Sequence, residues 1–353
     1  MKYFNAFWAS LSVLFLTLPV NAAGPTYVKD AISAATIWTK DNSPYIIQND
    51  IVVSKGAILT IAPGVEVRFV APDNGATVGA GPNLVIQGGI KAVGTPIDPI
   101  QFNPAVAGSL WGAIYFYNAD SANCLLQACL IKGGRIVCNG SSPVISQSAI
   151  FGAKSGIEVA LNSQPQITGN RITANGIGII LLADTANPVI TGNDIYNNNY
   201  GFYLKDFGTP NISGNRIFSN LKYNIVNYST KSLASPNNDF RMVDAQQIMR
   251  TIYDGAYSPT LGRVSFMPFV GMQQAQQPMG APVQQMAAAP APVAGTQAPE
   301  QPKIQEEDLW SYGRPFDAMK ISNVEAQKKK PSNAVKILAV GATAVVTVVL
   351  LFL

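Results

Sequence analysis

From residue 143 onward the chain repeats itself. Four segments align, PVISQSAIFGAKSGIEV from Pro143, PQITGNRITANGIGIILL from Pro165, PVITGNDIYNNNYGFYL from Pro188 and PNISGNRIFSNLKYNIV from Pro210, at spacings of 22, 23 and 22. Each carries an apolar residue two and seven positions after its proline: Ile145 and Ile150, Ile167 and Ile172, Ile190 and Ile195, Ile212 and Ile217. A further run alternates behind them, as in Ile157/Val159, Ile179/Leu181 and Phe202/Leu204, which is the period of a half-buried strand. Two short strands per 22 residues cannot bury a face alone, so the units must stack. Gly-Asn pairs at Gly169-Asn170, Gly192-Asn193 and Gly214-Asn215, with further Asn at Asn175, Asn198 and Asn220, fall between the apolar positions and supply the left-handed backbone that sharp corners need. Asn supplies 15 of residues 162–238, a density hostile to long helices. The expectation is an all-β solenoid whose stacked Asn amides bond from coil to coil, each coil climbing one interstrand spacing of about 4.8 Å.

This repeat resembles that of right-handed parallel β-helix proteins, the pectin-lyase-like superfamily, and is similar to NosD-type periplasmic repeat proteins. The stretch Pro44-Tyr45-Ile46-Ile47, Gly56 to Phe69, Gly94-Thr95 and Pro99 to Phe102 resembles the opening coils of bacterial secreted members, and Ile252 to Gly255 with Leu261 to Phe269 resembles their closing segment. Where such proteins often carry Asn-Trp-Trp-Gly, this chain has Asn238-Asp239-Phe240-Arg241. The resemblance implies about eight coils from Pro44 to Val226, and the sequence from Val243 to Tyr253 predicts a helix that covers the open end.

The ends predict a different environment. One Lys, an apolar run from Phe7 to Leu18 and small residues before Ala22 read as a secretory signal over residues 1–22, with no Cys to anchor a lipoprotein. Residues 334–353 are apolar apart from Lys336, long enough for a C-terminal transmembrane helix. Between solenoid (residues 23–270) and anchor, residues 271–333 open on a Gln/Pro/Ala-rich stretch expected to be a disordered linker. It contains an aromatic island, Asp308 to Phe316, that reads either as a docking motif or as plain linker. The expected setting is the periplasm or cell surface, with the membrane held through the C-terminal helix. Lys328, Lys329 and Lys330 precede that helix, against the positive-inside rule for an exported domain.

Composition excludes several chemistries. There is no histidine, which removes imidazole acid-base catalysis and Ser-His-Asp systems. The net charge of +4 comes from 24 basic and 20 acidic residues without a basic run interleaved with aromatics, so nucleic acid is not an expected partner. Charged residues are only 12% of the chain.

Equal offsets in a parallel solenoid form columns. Six positions after the proline the column reads Ala149, Arg171, Asp194, Arg216, and eight positions after it reads Phe151, Thr173, Tyr196, Phe218. Such a face suits sugar rings and uronate carboxylates, and equally a self-neutralising ion-pair ladder with cross-strand aromatic packing. On the later run the columns read Glu158/Ile180/Tyr203/Ile225 and Ala160/Leu182/Lys205/Asn227, placing Ile180, Leu182 and Tyr203 outward, under a covering segment or a protein partner.

The favoured function is an envelope binding or scaffolding protein that engages polysaccharide or a protein partner, with Tyr196, Phe218 and Tyr203 as ligand contacts. The alternative is a polysaccharide lyase or hydrolase acting on acidic glycans through Arg171, Asp194, Arg216 and Lys205. Asp184, Asp194 and Asp206 share no offset, so the balance is against catalysis. No metal or cofactor is expected, and Ca²⁺ would enter only with a lyase. Met267, Met272, Met279 and Met286 read as accidental linker methionines rather than copper ligands. For Cys124, Cys129 and Cys138 a disulfide between two of them stays open, with Cys138 reading as a core residue.

Overall fold

A computed structural model describes residues 24–71 and 81–272. The segments expected as a signal peptide and a C-terminal anchor, and nearly all of the expected linker, lie outside the described residues. Among the described residues no helix is long and apolar enough to cross a membrane.

Each coil contributes three strands to three parallel sheets rather than the two runs expected. Sheet I has eight strands, from Thr36–Trp38 to Asn211–Ser213; sheet II has nine, from Thr26–Val28 to Arg216–Phe218; sheet III has nine, from Ile51–Val53 to Ile252–Tyr253. The extra break falls between the two repeat isoleucines. Gly169, Gly192 and Gly214 take φ of 64°, 66° and 66° there, turning the chain from sheet I into sheet II. The second corner, from sheet II into sheet III, uses Ala174, Asn197 and Ser219 at φ 55°, 54° and 52°.

The ladder asparagines are therefore not the left-handed residues themselves but their successors, and they point inward. Asn170, Asn193, Asn215 and Asn238 form one ladder, each Nδ2 donating to the next Oδ1 at 3.0, 3.0 and 3.1 Å. Asn175, Asn198 and Asn220 form the second, at 3.2 and 3.1 Å. Within the interior, Ile145, Ile150, Ile167, Ile172, Ile190, Ile195 and Ile217 are fully buried, and Ile212 is almost so. They form one continuous core with Phe69, Phe102, Phe116 and Phe202.

The solenoid begins earlier than expected, since Thr26–Val28 and Thr36–Trp38 already pair with the coil that follows although neither carries the Pro-x-Ile signature. At the far end the helix is one short turn, Ala245–Met249, capped by the Asp244 carboxylate accepting from Gln246 N at 2.8 Å. Ile252 and Tyr253, expected as helix, instead pair with Ile225 and Val226, because the open edge of sheet III offers them partners. Phe240, Ile248, Phe266 and Phe269 close the end of the core. The departure at Asn238-Asp239-Phe240-Arg241 keeps the ladder and the plug: Asn238 receives Asn215, and Phe240 is fully buried.

Cys124, Cys129 and Cys138 are free thiols inside the core, one strand apart from one another around a single coil and on three different sheets. Burial pushes the Cys124 thiol up to about 11 and the Cys129 thiol up to about 12, and burial raises Cys138 further. A thiol reagent at pH 8 should thus find no thiolate in the folded chain and three reactive cysteines after denaturation, counted by mass.

Candidate functional site

On sheet II the register follows the repeat arithmetic. Arg171 pairs with Asp194 and Asp194 with Arg216, while Thr173 pairs with Tyr196 and Tyr196 with Phe218. A bridge from Arg216 to Asp239 adds a fourth charged rung, so the column alternates Arg171, Asp194, Arg216, Asp239. Arg216 grips both carboxylate oxygens of Asp194 through Nε and Nη2, and that bond raises the Arg216 guanidinium above its ordinary value. Arg241 bonds Asp239 at 3.3 Å. Arg171, at the other end, is exposed and makes no ion pair with a described residue.

Beside the charges, the Tyr196 and Phe218 rings stack with centroids 5.1 Å apart and planes 6° from parallel. The Arg241 guanidinium lies 5.7 Å from the Phe218 centroid on the following rung. Phe218 is thus held between Tyr196 and a cation. The rung before Tyr196 carries the small Thr173, and the rung before that Phe151. Two rings two rungs apart, about 9.6 Å at strand spacing, leave a notch floored by Thr173 with Arg171 on the same rung.

The remaining candidates lie elsewhere. Lys205 belongs to sheet III, on Tyr200–Asp206, so it does not join Arg171, Asp194 and Arg216. Nor does it stack on Leu182: a bulge after Leu181 sets Leu182 opposite Asp206. Tyr203, expected as a ligand contact, is also on sheet III, only 1% exposed, and so is closed to a soluble ligand as the chain stands. Its column continues into Val226, not Ile225. The corner 219–222 has one residue more than 197–199, which moves Ile225 inward beside Phe202.

Sheet III carries its own outer features. Glu158 and Arg135 form a buried ion pair at 3.2 Å, with the Ser155 hydroxyl donating to the same carboxylate oxygen, while Glu158 Oε2 is buried without a hydrogen-bond donor. Three other carboxylates of the coils are each spent on one cation: Asp206 on Lys231 at 2.9 Å, Glu66 on Arg68 at 2.8 Å, Asp98 on Lys40 at 2.8 Å, while Asp184 is exposed. Among the described residues no three Cys, Asp or Glu side chains gather as a metal site.

Residues 105–240 match the family model described as right handed beta helix region, which gives the hand of the parallel solenoid over that stretch. The paired strands extend the same architecture outward on both sides, from Thr26 to Tyr253. Comparison with curated proteins found no match, and comparison with solved structures found none.

Proposed function

We propose that this chain is an exported, membrane-tethered β-helix of the cell envelope that binds acidic glycan on the exterior of sheet II without turning it over. The observation that carries this reading is the notch at Thr173. A sugar ring in van der Waals contact with an aromatic ring on each side needs about 7–8 Å between the ring planes, at 3.5–4.0 Å per contact. The two-rung gap between Phe151 and Tyr196, about 9.6 Å, admits a sugar ring in contact with one of them and with about 2 Å to spare from the other, and Arg171 stands on the Thr173 rung where a uronate carboxylate would meet it in a fork. Phe218, stacked between Tyr196 and Arg241, serves this site as a support for the Tyr196 ring rather than as a contact.

A lyase or hydrolase finds less support. Asp194 is already held on both oxygens by Arg216, which ties up its acceptors. Lys205 lies on a different sheet. The glycan reading also agrees with the signal-like and anchor-like ends of the sequence, which favour a setting among envelope polysaccharides.

The test is binding of oligogalacturonate and of a neutral oligosaccharide of equal length, measured by calorimetry. Arg171→Ala should weaken the acidic ligand about 10- to 150-fold while leaving the neutral one unchanged, in line with loss of a charge-assisted hydrogen bond worth about 1.5–3 kcal/mol. Thr173→Phe should fill the notch and abolish both. Equal affinity of wild type and Thr173→Phe would remove the notch from the account.

A further inference from the structure

The exterior of sheet III is apolar on both sides of the Arg135–Glu158 pair, yet it is not open. Val52, Val85, Tyr115 and Val137 form one outer cluster, and Ile177, Ile180, Tyr200, Tyr203, Tyr223 and Val226 form another, with exposures from 0% to 8%. Their partly buried neighbours, Tyr117, Leu182, Tyr228 and Tyr253, come from sheet III strands or the residue just after one. A sheet face packed only against its own neighbours keeps substantial water contact, so values this low call for a layer above it. Basic groups sit on these strands or just before them: Arg135 and Lys205 within strands, Lys154 and Lys222 one residue ahead of theirs, the last with its ammonium 5.3 Å from the Tyr200 centroid. Desolvation, and then the Arg135 charge, lower the Lys154 ammonium from its ordinary value, so a carboxylate brought to that edge would be favoured.

We infer that residues 304–316 of this same chain dock on the exterior of sheet III as its cover, an acidic head on the lysine edge and the aromatic tail on the tyrosine and isoleucine cluster. Three facts select this segment. Charge is the first: Glu306, Glu307 and Asp308 run directly into Leu309, Trp310, Tyr312 and Phe316, so acid and aromatics arrive in one short piece, opposite a face that is basic and apolar. The competing apolar stretches carry the wrong sign: residues 1–23 hold a Lys and no acid, and residues 334–353 follow Lys328, Lys329 and Lys330. Composition is the second, since residues 273–302 contain no large aromatic residue and one acid, Glu300.

Reach is the third. The described chain ends at Met272, beside the last coils, where Met272 N donates to Phe269 O at 3.2 Å. The 32 residues from there to Ile304 span about 30 Å as a flexible coil, and the face from Tyr253 back to the Lys154 strand is four strand spacings, about 19 Å. Docking therefore requires no stretching, and an intramolecular partner at this separation has an effective concentration in the millimolar range, about 1 mM or more. The cover would occupy Tyr203 and leave the sheet II notch free, so the two surfaces operate independently.

The experiment uses the full chain. Leu182, half-buried at the edge of the cluster, is replaced in Leu182→Cys and combined with either Leu309→Cys or, as the linker control, Ala289→Cys; a short bismaleimide then bridges the pair, and mass spectrometry of mixed light and heavy chains separates links within a chain from links between chains. The native thiols, buried in the core, do not compete. The expected result is an intrachain 182–309 link at least tenfold more abundant than 182–289, lost when Glu306, Glu307 and Asp308 are all changed to Lys. Because those substitutions lie outside the solenoid, its melting transition checks that the fold survives. Equal yields at 309 and 289, a link that survives charge reversal, or a link between chains, which would make a second copy the cover, would each overturn the assignment.

Discussion

Ile190→Asp lowers the melting temperature of the solenoid by about 10–20 °C. Ile190 is fully buried, paired with Ile167 on one side and Ile212 on the other, and isoleucine holds this column over the last four strands of sheet I, from Ile145 to Ile212. Loss of the isoleucine costs about 2–5 kcal/mol, and a carboxylate placed among apolar groups adds several more or becomes protonated. In a domain of this size each kcal/mol is worth about 2–4 °C. Because coils contact only their neighbours, damage at a central coil separates two half-solenoids, and the thermal transition should broaden as well as fall. Asn187→Asp is the matched control. Asn187 is half-buried, its Oδ1 accepts from Thr209, and only the 3.3 Å bond from Nδ2 to Thr185 O is lost, so the melting temperature should move by no more than about 2 °C.

The second large effect belongs to the asparagine ladder. Asn193 is fully buried; its Oδ1 accepts from Asn170 N and Nδ2 at 2.9 and 3.0 Å, and its Nδ2 donates to Ile167 O at 2.8 Å. Asn193→Ala leaves the Asn170 donors without their acceptor and Ile167 O without one of its donors. At about 1–3 kcal/mol for each stranded buried group, the expected loss is about 3–5 kcal/mol, read from chemical denaturation. Asn197→Ala, on the solvent side of the next corner, removes no ladder bond and should cost under about 1 kcal/mol, the difference arising from its left-handed backbone at φ 54°. Equal losses at the two positions would show that corner geometry, not the ladder, holds the coils in register.

The sequence was informative where the spacing is constant. Prolines 22 or 23 residues apart bring Ile145, Ile167, Ile190 and Ile212 to one column, and the charge and aromatic columns of sheet II follow because no residue is inserted between the proline and position eight. Beyond that point the arithmetic loses its hold. One extra residue in the corner 219–222 substitutes Val226 for Ile225, and a bulge removes Lys205 from the Leu182 column. Both are local changes of length that periodicity cannot see, since an offset counts residues and a ladder counts pairs. Three strands per coil instead of two, likewise, depend on Gly169 and its equivalents turning a corner that reads as a pause within one apolar run. Tyr203 was legible as outward, under a covering segment or a partner, but the same reading also made it a ligand contact, which its 1% exposure on sheet III closes. At the site, the notch was present in the column Phe151, Thr173, Tyr196 from the start. It gained meaning only when the Tyr196–Phe218 stack and the Arg241 contact showed which ring faces are already taken.

The central claim, recognition without chemistry on sheet II, is tested most directly by turnover under binding conditions. The chain is incubated with polygalacturonate and alginate at concentrations that saturate the notch, with and without Ca²⁺, and products are followed by ultraviolet absorbance of unsaturated uronates and by new reducing ends. Saturated binding with neither product is the predicted result, unchanged in Asp194→Ala. Unsaturated products or reducing ends that appear with the wild-type chain and vanish in Asp194→Ala would contradict it, and would make the Arg171, Asp194, Arg216 ladder an active site.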